Sequence, residues 1–304
     1  MTDRPRSEAD EPRDRPRSEA DAPRPPAVLS IAGSDSGGGA GIQADLKAFA
    51  RCGVHGMTAI TALTAQNTVA VTGVHPVPGE FIVAQVRAVA EDIGVDAVKI
   101  GMLGTAETVR AVREALGLLE PGTPIVLDPV MVAESGAVLL DDAARAAIIE
   151  ELLPLVTVIT PNLPEARVLV ATAGAGDPGN GARAGEGGPE GTDVEALARA
   201  LHRLGPDAVV VTGGHRDTAT DVFFDGGELA PIPGVRHPDG AAHGSGCTHS
   251  SALAAYLAHG HSPLEAARRA RAVAAEAVRD GLRSIGGGVG PVDALHVGGE
   301  WPRA

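Results

Sequence analysis

The chain has 304 residues, 44% of them hydrophobic but only 2% aromatic, so Ala, Val, Leu and Ile must fill any core. A formal charge of −14 argues against a nucleic-acid partner, which needs a basic surface. Two cysteines, Cys52 and Cys247, are too few for a disulfide framework and fit no zinc spacing. No apolar stretch approaches the ~18 residues of a membrane span, and the start of the chain, rich in Arg, Asp, Glu and Pro, does not read as a signal peptide. A reducing, cytoplasmic setting is the expectation, with no membrane partner.

Residues 1–26 carry DRPRSEAD at 3–10 and again at 14–21, and their charge and proline content predict a disordered, dispensable tail. From Ala27 onward one domain is expected to continue to residue 304. Near-continuous apolar runs appear at 27–33, 57–63, 97–103, 124–131, 156–162 and 208–214, the pattern of strands buried on both faces of a parallel sheet. Helical periods separate them, for example Phe81, Gln85, Val86, Val89 and Ile93. Repeated βα units predict an α/β fold, a three-layer α/β/α sandwich with a mostly parallel sheet, whose ligands bind beyond the carboxyl ends of the strands. A Gly-rich mobile loop is expected at 172–192, a hairpin at 221–234 turning at Asp225-Gly226-Gly227, and closing helices over 246–259 and 262–282.

The first strand runs into Gly33-Ser34-Asp35-Ser36-Gly37-Gly38-Gly39-Ala40-Gly41. Gly39, Gly41 and Ala44 nominally satisfy a dinucleotide fingerprint, but no Asp or Glu occurs from Leu46 to Gly79 to hold a ribose, and there is no Walker P-loop. The glycines either bring backbone close to a small ligand, with Asp35 and Asp45 nearby, or only permit tight strand–helix packing.

The strongest local signal is His243-Gly244-Ser245-Gly246-Cys247-Thr248 at the start of a helix. Glycines around a small residue, joined to the unpaired N–H groups of a helix head, make an anion hole suited to a phosphoryl group in transfer. A thiol at that position is expected to have a lowered pKa and to accept or orient a hydroxyl proton; the competing reading is a small buried hydrophobe. Cys52 has no such context and reads as structural.

Asp128, Asn162 and Glu165 fall at or just beyond strand ends, where an Asp, an Asn and a Glu could serve Mg²⁺ directly or through water. Helix capping is the equal alternative for Asn162 and Glu165. Thr212-Gly213-Gly214 could approach a nucleotide phosphate or simply form a turn. The ten histidines form no zinc motif, and no nucleophile elbow occurs.

The segments from Ala32 to Thr68, Lys99–Leu103, Val126–Met131, Ile159–Ala166, Thr212–His215 and His243–Ala255 together resemble bacterial hydroxymethylpyrimidine/phosphomethylpyrimidine kinases of the ribokinase-like superfamily, over about residues 27–295. The resemblance implies that Gln66, Asp45, Gly33, Met102 and Val130 line a pyrimidine pocket, with Gln66 pairing to the amino-substituted ring edge. It implies ATP and Mg²⁺ across Asp128, Asn162, Glu165, Thr212, Gly213 and Gly214, with Asp128 and Glu165 serving the metal. Gly244, Ser245 and Gly246 would stabilise the moving phosphoryl, with Cys247 beside the acceptor oxygen. Two successive phosphorylations and a homodimer are further implications. Many relatives carry Lys at the position of Thr212, and Ser245 replaces a commoner Thr. A pyridoxal kinase of the same fold is the near alternative, and a non-catalytic pyrimidine sensor the distant one.

Overall fold

The structure, a computed structural model, describes residues 24–174, 190–213 and 219–299. The whole N-terminal repeat, residues 175–189 of the Gly-rich loop, residues 214–218 and the last five residues lie outside that set. Arg24, at the edge of the tail, pairs with Asp96 at 2.8 Å.

The apolar runs become strands β1 (Ala27–Asp35), β2 (His55–Gln66), β4 (Ala97–Ile100), β5 (Ile125–Leu127), β6 (Val158–Ile159) and β7 (Ala208–Val211), all paired in parallel. Three antiparallel strands complete one nine-stranded sheet: β3 (Val71–Pro76) on one edge, β8 (Asp221–Phe224) and β9 (Leu229–Ile232) on the other. The order is β3-β2-β1-β4-β5-β6-β7-β8-β9. The predicted hairpin forms as expected, with the Asp225 carboxylate accepting the N–H groups of Gly227 and Glu228 across its turn.

Alternate side chains of each strand feed two cores. One packs Leu29, Ile31, Val98 and Ile100 against α2 (Gly79–Asp92), α3 (Ala106–Leu116), α4 (Asp142–Ala147), α5 (Leu163–Thr172) and α6 (Glu190–His202). The other packs Val28, Ala97, Val126 and Val158 against α1 (Gly41–Arg51), α7 (Ser245–Ala258) and α8 (Pro263–Arg279). With almost no aromatics, the second core relies on small residues: Ala252, Ala254 and Ala255 of α7 belong to it together with Ala266, Ala267 and Ala270 of α8. This is the three-layer sandwich the sequence predicts.

Three local expectations need correction. Phe81 is 58% exposed, and α2 buries Ile82 and Val83 together with Val86 of the expected stripe, while Gln85 bonds both backbone groups of Ile60. The run at 57–63 is the middle of a longer strand whose end folds back as β3. The loop expected at 172–192 is helical at both ends, because α5 continues to Thr172 and α6 begins at Glu190. No helix among the described residues is long and apolar enough to cross a membrane.

Candidate active site

A cavity of about 520 Å³ opens at the carboxyl edge of the parallel strands. Gly33 and Asp35 from β1, Lys99 and Met102 from β4 and its end, Asp128 and Val130 beyond β5, Asn162 beyond β6, and Thr212 beyond β7 line it, together with the turn from Gly244 to Cys247.

The two glycine loops are one construction. The buried Asp35 carboxylate accepts the N–H groups of Gly37 (2.8 Å), Gly39 (3.0 Å) and Ala40 (2.9 Å), and lies 3.1 Å from Nε2 of the buried His243. Burial opposes its charge, yet His243 and those N–H groups hold its carboxyl below the usual range. Gly244 has φ +86°, and a Cβ there would overlap the carbonyl oxygen of Gly39. The turn before α7 is thus pressed against the amino-terminal loop. Gly244 caps α7 in a left-handed conformation with no side-chain cap; the Ala242 carbonyl takes the Ser245 N–H at 2.9 Å, and the N–H groups of Gly246 and Cys247 are left to meet an anion.

On the acceptor side, Gly33 sits where the β1–β2 register slips, a bulge that turns the chain toward the cavity. A Cβ on Gly33 would fall 2.6 Å from Cε of Met102, so its absence admits that side chain. Gln66 ends β2 and lines the same wall, its Oε1 accepting from the Thr64 hydroxyl at 3.2 Å.

Asp45 is the sequence-predicted pocket residue that the structure moves back. It is wholly buried and does not line the cavity; its carboxylate takes Lys99 Nζ at 2.9 and 3.1 Å and the hydroxyls of Ser30 (2.6 Å) and Ser251 (2.8 Å). Lys99 does line the cavity, itself 0% exposed. Burial disfavours its charge, but the carboxylate of Asp45, and after it that of Asp128, holds the ammonium above its ordinary pKa. Removing one partner of a buried pair strands the other, so Asp45→Ala is expected to cost about 3–5 kcal/mol in denaturant unfolding, with Asp45→Leu combined with Lys99→Met recovering most of it. A single variant as stable as the parent would contradict this account of the pair.

Cys247 follows two residues into α7, with the Gly41 N–H directed at its sulfur. The expected lowering of its pKa is not what the site produces. Burial pushes the thiol up to about 12; Lys99 and the Gly41 N–H oppose this, and the carboxylates of Asp45 and Asp128 add to it. The group is a neutral thiol at physiological pH.

Asn162 and Glu165 form a capping box at the head of α5, each accepting the other's N–H at 2.9 Å, and both line the cavity. Capping and ligand contact therefore coexist. Burial raises both Asp128 and Glu165, and the charge of Asp128 adds to the push on Glu165, whose carboxyl reaches about 8. Two acids raised in this way form a donor set that a divalent cation would discharge, with further positions left for water and phosphate. Among the described residues no third His, Cys, Asp or Glu joins them. The Ser250 hydroxyl, one turn into α7, donates to Asp128 at 3.0 Å and ties the acid to the anion turn.

The raised carboxyl has a measurable consequence. Glu165 keeps its proton when folded but ionises near 4.5 when unfolded, so it lowers stability progressively as pH rises from 4.5 to about 8. In the ligand-free protein, Glu165→Gln, which retains the cap, is expected to raise Tm at pH 8, with the gain vanishing by pH 4. A Tm difference constant across that range would refute the assignment.

Thr212 lines the cavity, but Gly213 does not; its N–H is taken by Asp221 at 2.7 Å, and a Cβ there would strike the backbone of Thr220. Its glycine therefore serves close packing. Gly214 lies outside the described residues.

A family model for phosphomethylpyrimidine kinase matches residues 35–293. The chain belongs to this family. It is 49% identical over 271 residues to hydroxymethylpyrimidine/phosphomethylpyrimidine kinase of Rhizobium meliloti, across 88% of this chain and 96% of that one. Among solved structures, phosphomethylpyrimidine kinase from Clostridium difficile matches with a TM-score of 0.69 at 37% identity, covering 83% of this chain and 99% of that one. Pyridoxal kinase from Staphylococcus aureus, in complex with AMP-PCP and pyridoxal, matches with a TM-score of 0.77 at 34% identity over 91% and 96% of the two chains.

Within this family member, sequence reasoning missed Lys99 altogether and gave His243 no more than a loop-shaping role. The signal for Lys99 was a lone ammonium inside the apolar run AVKIGML, which cannot be buried without a counter-charge. The signal for His243 was its position against the first glycine of the anion turn.

Proposed function

We propose that this chain transfers the terminal phosphoryl of ATP to the hydroxymethyl oxygen of 4-amino-5-hydroxymethyl-2-methylpyrimidine, then phosphorylates the resulting monophosphate to the diphosphate for thiamin biosynthesis. The observation that carries the reading is the uncapped, glycine-flanked head of α7 opening into the same cavity as Gly33, Gln66 and Met102.

In the transfer, the bond from the γ-phosphorus to the bridging oxygen of ADP breaks as the bond to the acceptor oxygen forms, and the acceptor hydroxyl's proton passes to an oxygen of the transferred phosphoryl group and then to solvent. The N–H groups at the head of α7 face the equatorial oxygens and meet the charge there. Gln66 orients the ring by its amide, and Met102 and Val130 supply apolar wall. Cys247 holds the acceptor hydroxyl in line by hydrogen bonding as a thiol. Asp128 and Glu165 would hold Mg²⁺, which supplies neutralisation of the phosphate charge. Asn162 and Thr212 offer polar contacts along the donor phosphates.

The accompanying reading is one ribokinase-like domain over 27–304, homodimeric and cytoplasmic, with a dispensable tail. Exposed Leu63, Val69 and Val74 on and around the edge hairpin of β2 and β3 support a second copy there.

The test is ATP consumption with and without the pyrimidine alcohol, and kcat/KM against pyridoxal in competition. Pyrimidine-dependent turnover with preference over pyridoxal is the expected result. Preference for pyridoxal would change the substrate, and no turnover with either would favour the sensor.

A further inference from the structure

Gln66 reaches the cavity from a place where its strand has lost regular pairing. The β2–β3 register slips between Ala65 and Gln66, and the Ser36 hydroxyl takes up both backbone groups there. It donates to the Gln66 carbonyl at 2.7 Å and accepts the Gln66 N–H at 2.9 Å. Ser36 is exposed, lies just past β1 and is not among the residues lining the cavity. The Gln66 side chain is held from the same segment. Its Oε1 meets the Thr64 hydroxyl at 3.2 Å, and that hydroxyl donates to the Ser34 carbonyl at 2.9 Å. Between Ser34 and Ser36 stands Asp35, whose carboxylate holds the loop that abuts Gly244. Gly37 closes the join, because a Cβ there would lie 3.3 Å from both the Gln66 carbonyl oxygen and Asn67 Cα. Three successive residues thus tie the ring-reading amide to the anion turn as one piece.

We propose that Ser36 is a positioning residue that acts through Gln66 and favours the first of the two phosphorylations over the second. The inference rests on the kinase reading and deepens it. The two acceptors differ in what holds them. The alcohol is neutral, so its ring edge and its hydroxyl are its polar handles, and a displaced amide misaligns the attacking oxygen. Misplacement by about 1 Å can cost about 10²-fold in a positioned reaction. The monophosphate carries its own charge, which the positive end of α7 attracts independently of the ring. It also sets its reacting oxygen one phosphoryl further from the ring, so a fixed spacing between amide and turn suits the shorter acceptor. The Ser36 hydroxyl serves Gln66 as donor and acceptor at once, and an alanine there supplies neither bond.

The test is Ser36→Ala in the full chain, assayed with ATP and either the pyrimidine alcohol or its monophosphate. Because Ser36 is exposed, the variant is expected to fold. Its kcat/KM for the alcohol is expected to fall about tenfold and that for the monophosphate less than about threefold, with KM for ATP unchanged. Ser36→Thr, which keeps the hydroxyl, is expected to restore the parent ratio of the two. In a Gln66→Ala background, Ser36→Ala is expected to cost the alcohol reaction less than about twofold further, because the residue it acts through is gone. Equal losses on both acceptors, no loss on either, or the full loss without the Gln66 side chain would overturn the assignment. A parent protein that turns over neither acceptor would instead overturn the kinase reading beneath it.

Discussion

Gly244→Ala is expected to lower kcat/KM by about three orders of magnitude while the protein still folds. The left-handed φ of +86° costs a residue with a Cβ roughly 1–2 kcal/mol, and that alone would be a modest loss. The larger effect is steric, because the added methyl would overlap the Gly39 carbonyl and must push the two loops apart. That displacement moves the head of α7 away from the acceptor pocket, and misplacement by about 1 Å can cost about 10²-fold in a positioned reaction. Lost N–H contacts to the transferring phosphoryl add a further factor of about 10–10². Gly246→Ala is the control: its φ is not left-handed, and its methyl would meet only Asp128 Oδ2 at 3.8 Å, an ordinary contact. It is expected to lose less than tenfold. Steady-state kinetics with Tm for both variants decides the matter, and equal effects at the two glycines would show that contact with the amino-terminal loop is not what positions the anion turn.

That contact also marks the boundary of what the sequence made legible. Both glycine runs stand out in the chain, and their chemistry could be inferred separately, but nothing in one sequence says that Gly39 and Gly244 touch across 204 intervening positions. The parallel strands could be read because burial on both faces makes them apolar throughout. Strand β3 escaped because it lies on the edge, largely exposed, with a composition of Thr, Gly, His and Pro around two valines. Phe81 misled because a bulky aromatic at a helical period normally points inward, whereas here smaller Ile82 and Val83 fill the core face. Asp45 was assigned to the right region and the wrong layer. Its partner Lys99 is 54 residues away, and only the folded sheet shows that the acid is spent on that ammonium.

The thiol shows the same failure of local rules, and it yields the second large prediction. A helix head lowers a cysteine pKa, but in this site burial and the Asp45 and Asp128 carboxylates outweigh it and push Cys247 up to about 12. A thiolate base is therefore not the role available at neutral pH. A loose phosphoryl-transfer transition state asks little of a base and much of alignment, and a neutral S–H set by the Gly41 N–H can hold the acceptor oxygen in line. Cys247→Ala is expected to lower kcat by about 10²–10³-fold, the scale of losing one positioned polar group, with KM for the pyrimidine changed by less than about threefold because the contact matures in the transition state. Cys247→Ser, which keeps a donor, is expected to retain more of the rate. Two signatures separate this role from a thiolate mechanism. The kcat profile of the parent protein is expected to show no ionisation lost in Cys247→Ser between pH 6 and 9, and alkylation of Cys247 by iodoacetamide is expected to accelerate about tenfold per pH unit through pH 10 without a plateau. A plateau below pH 8, or a kcat limb that disappears with the sulfur, would return Cys247 to the role of general base; an unchanged kcat in Cys247→Ala would leave it as packing.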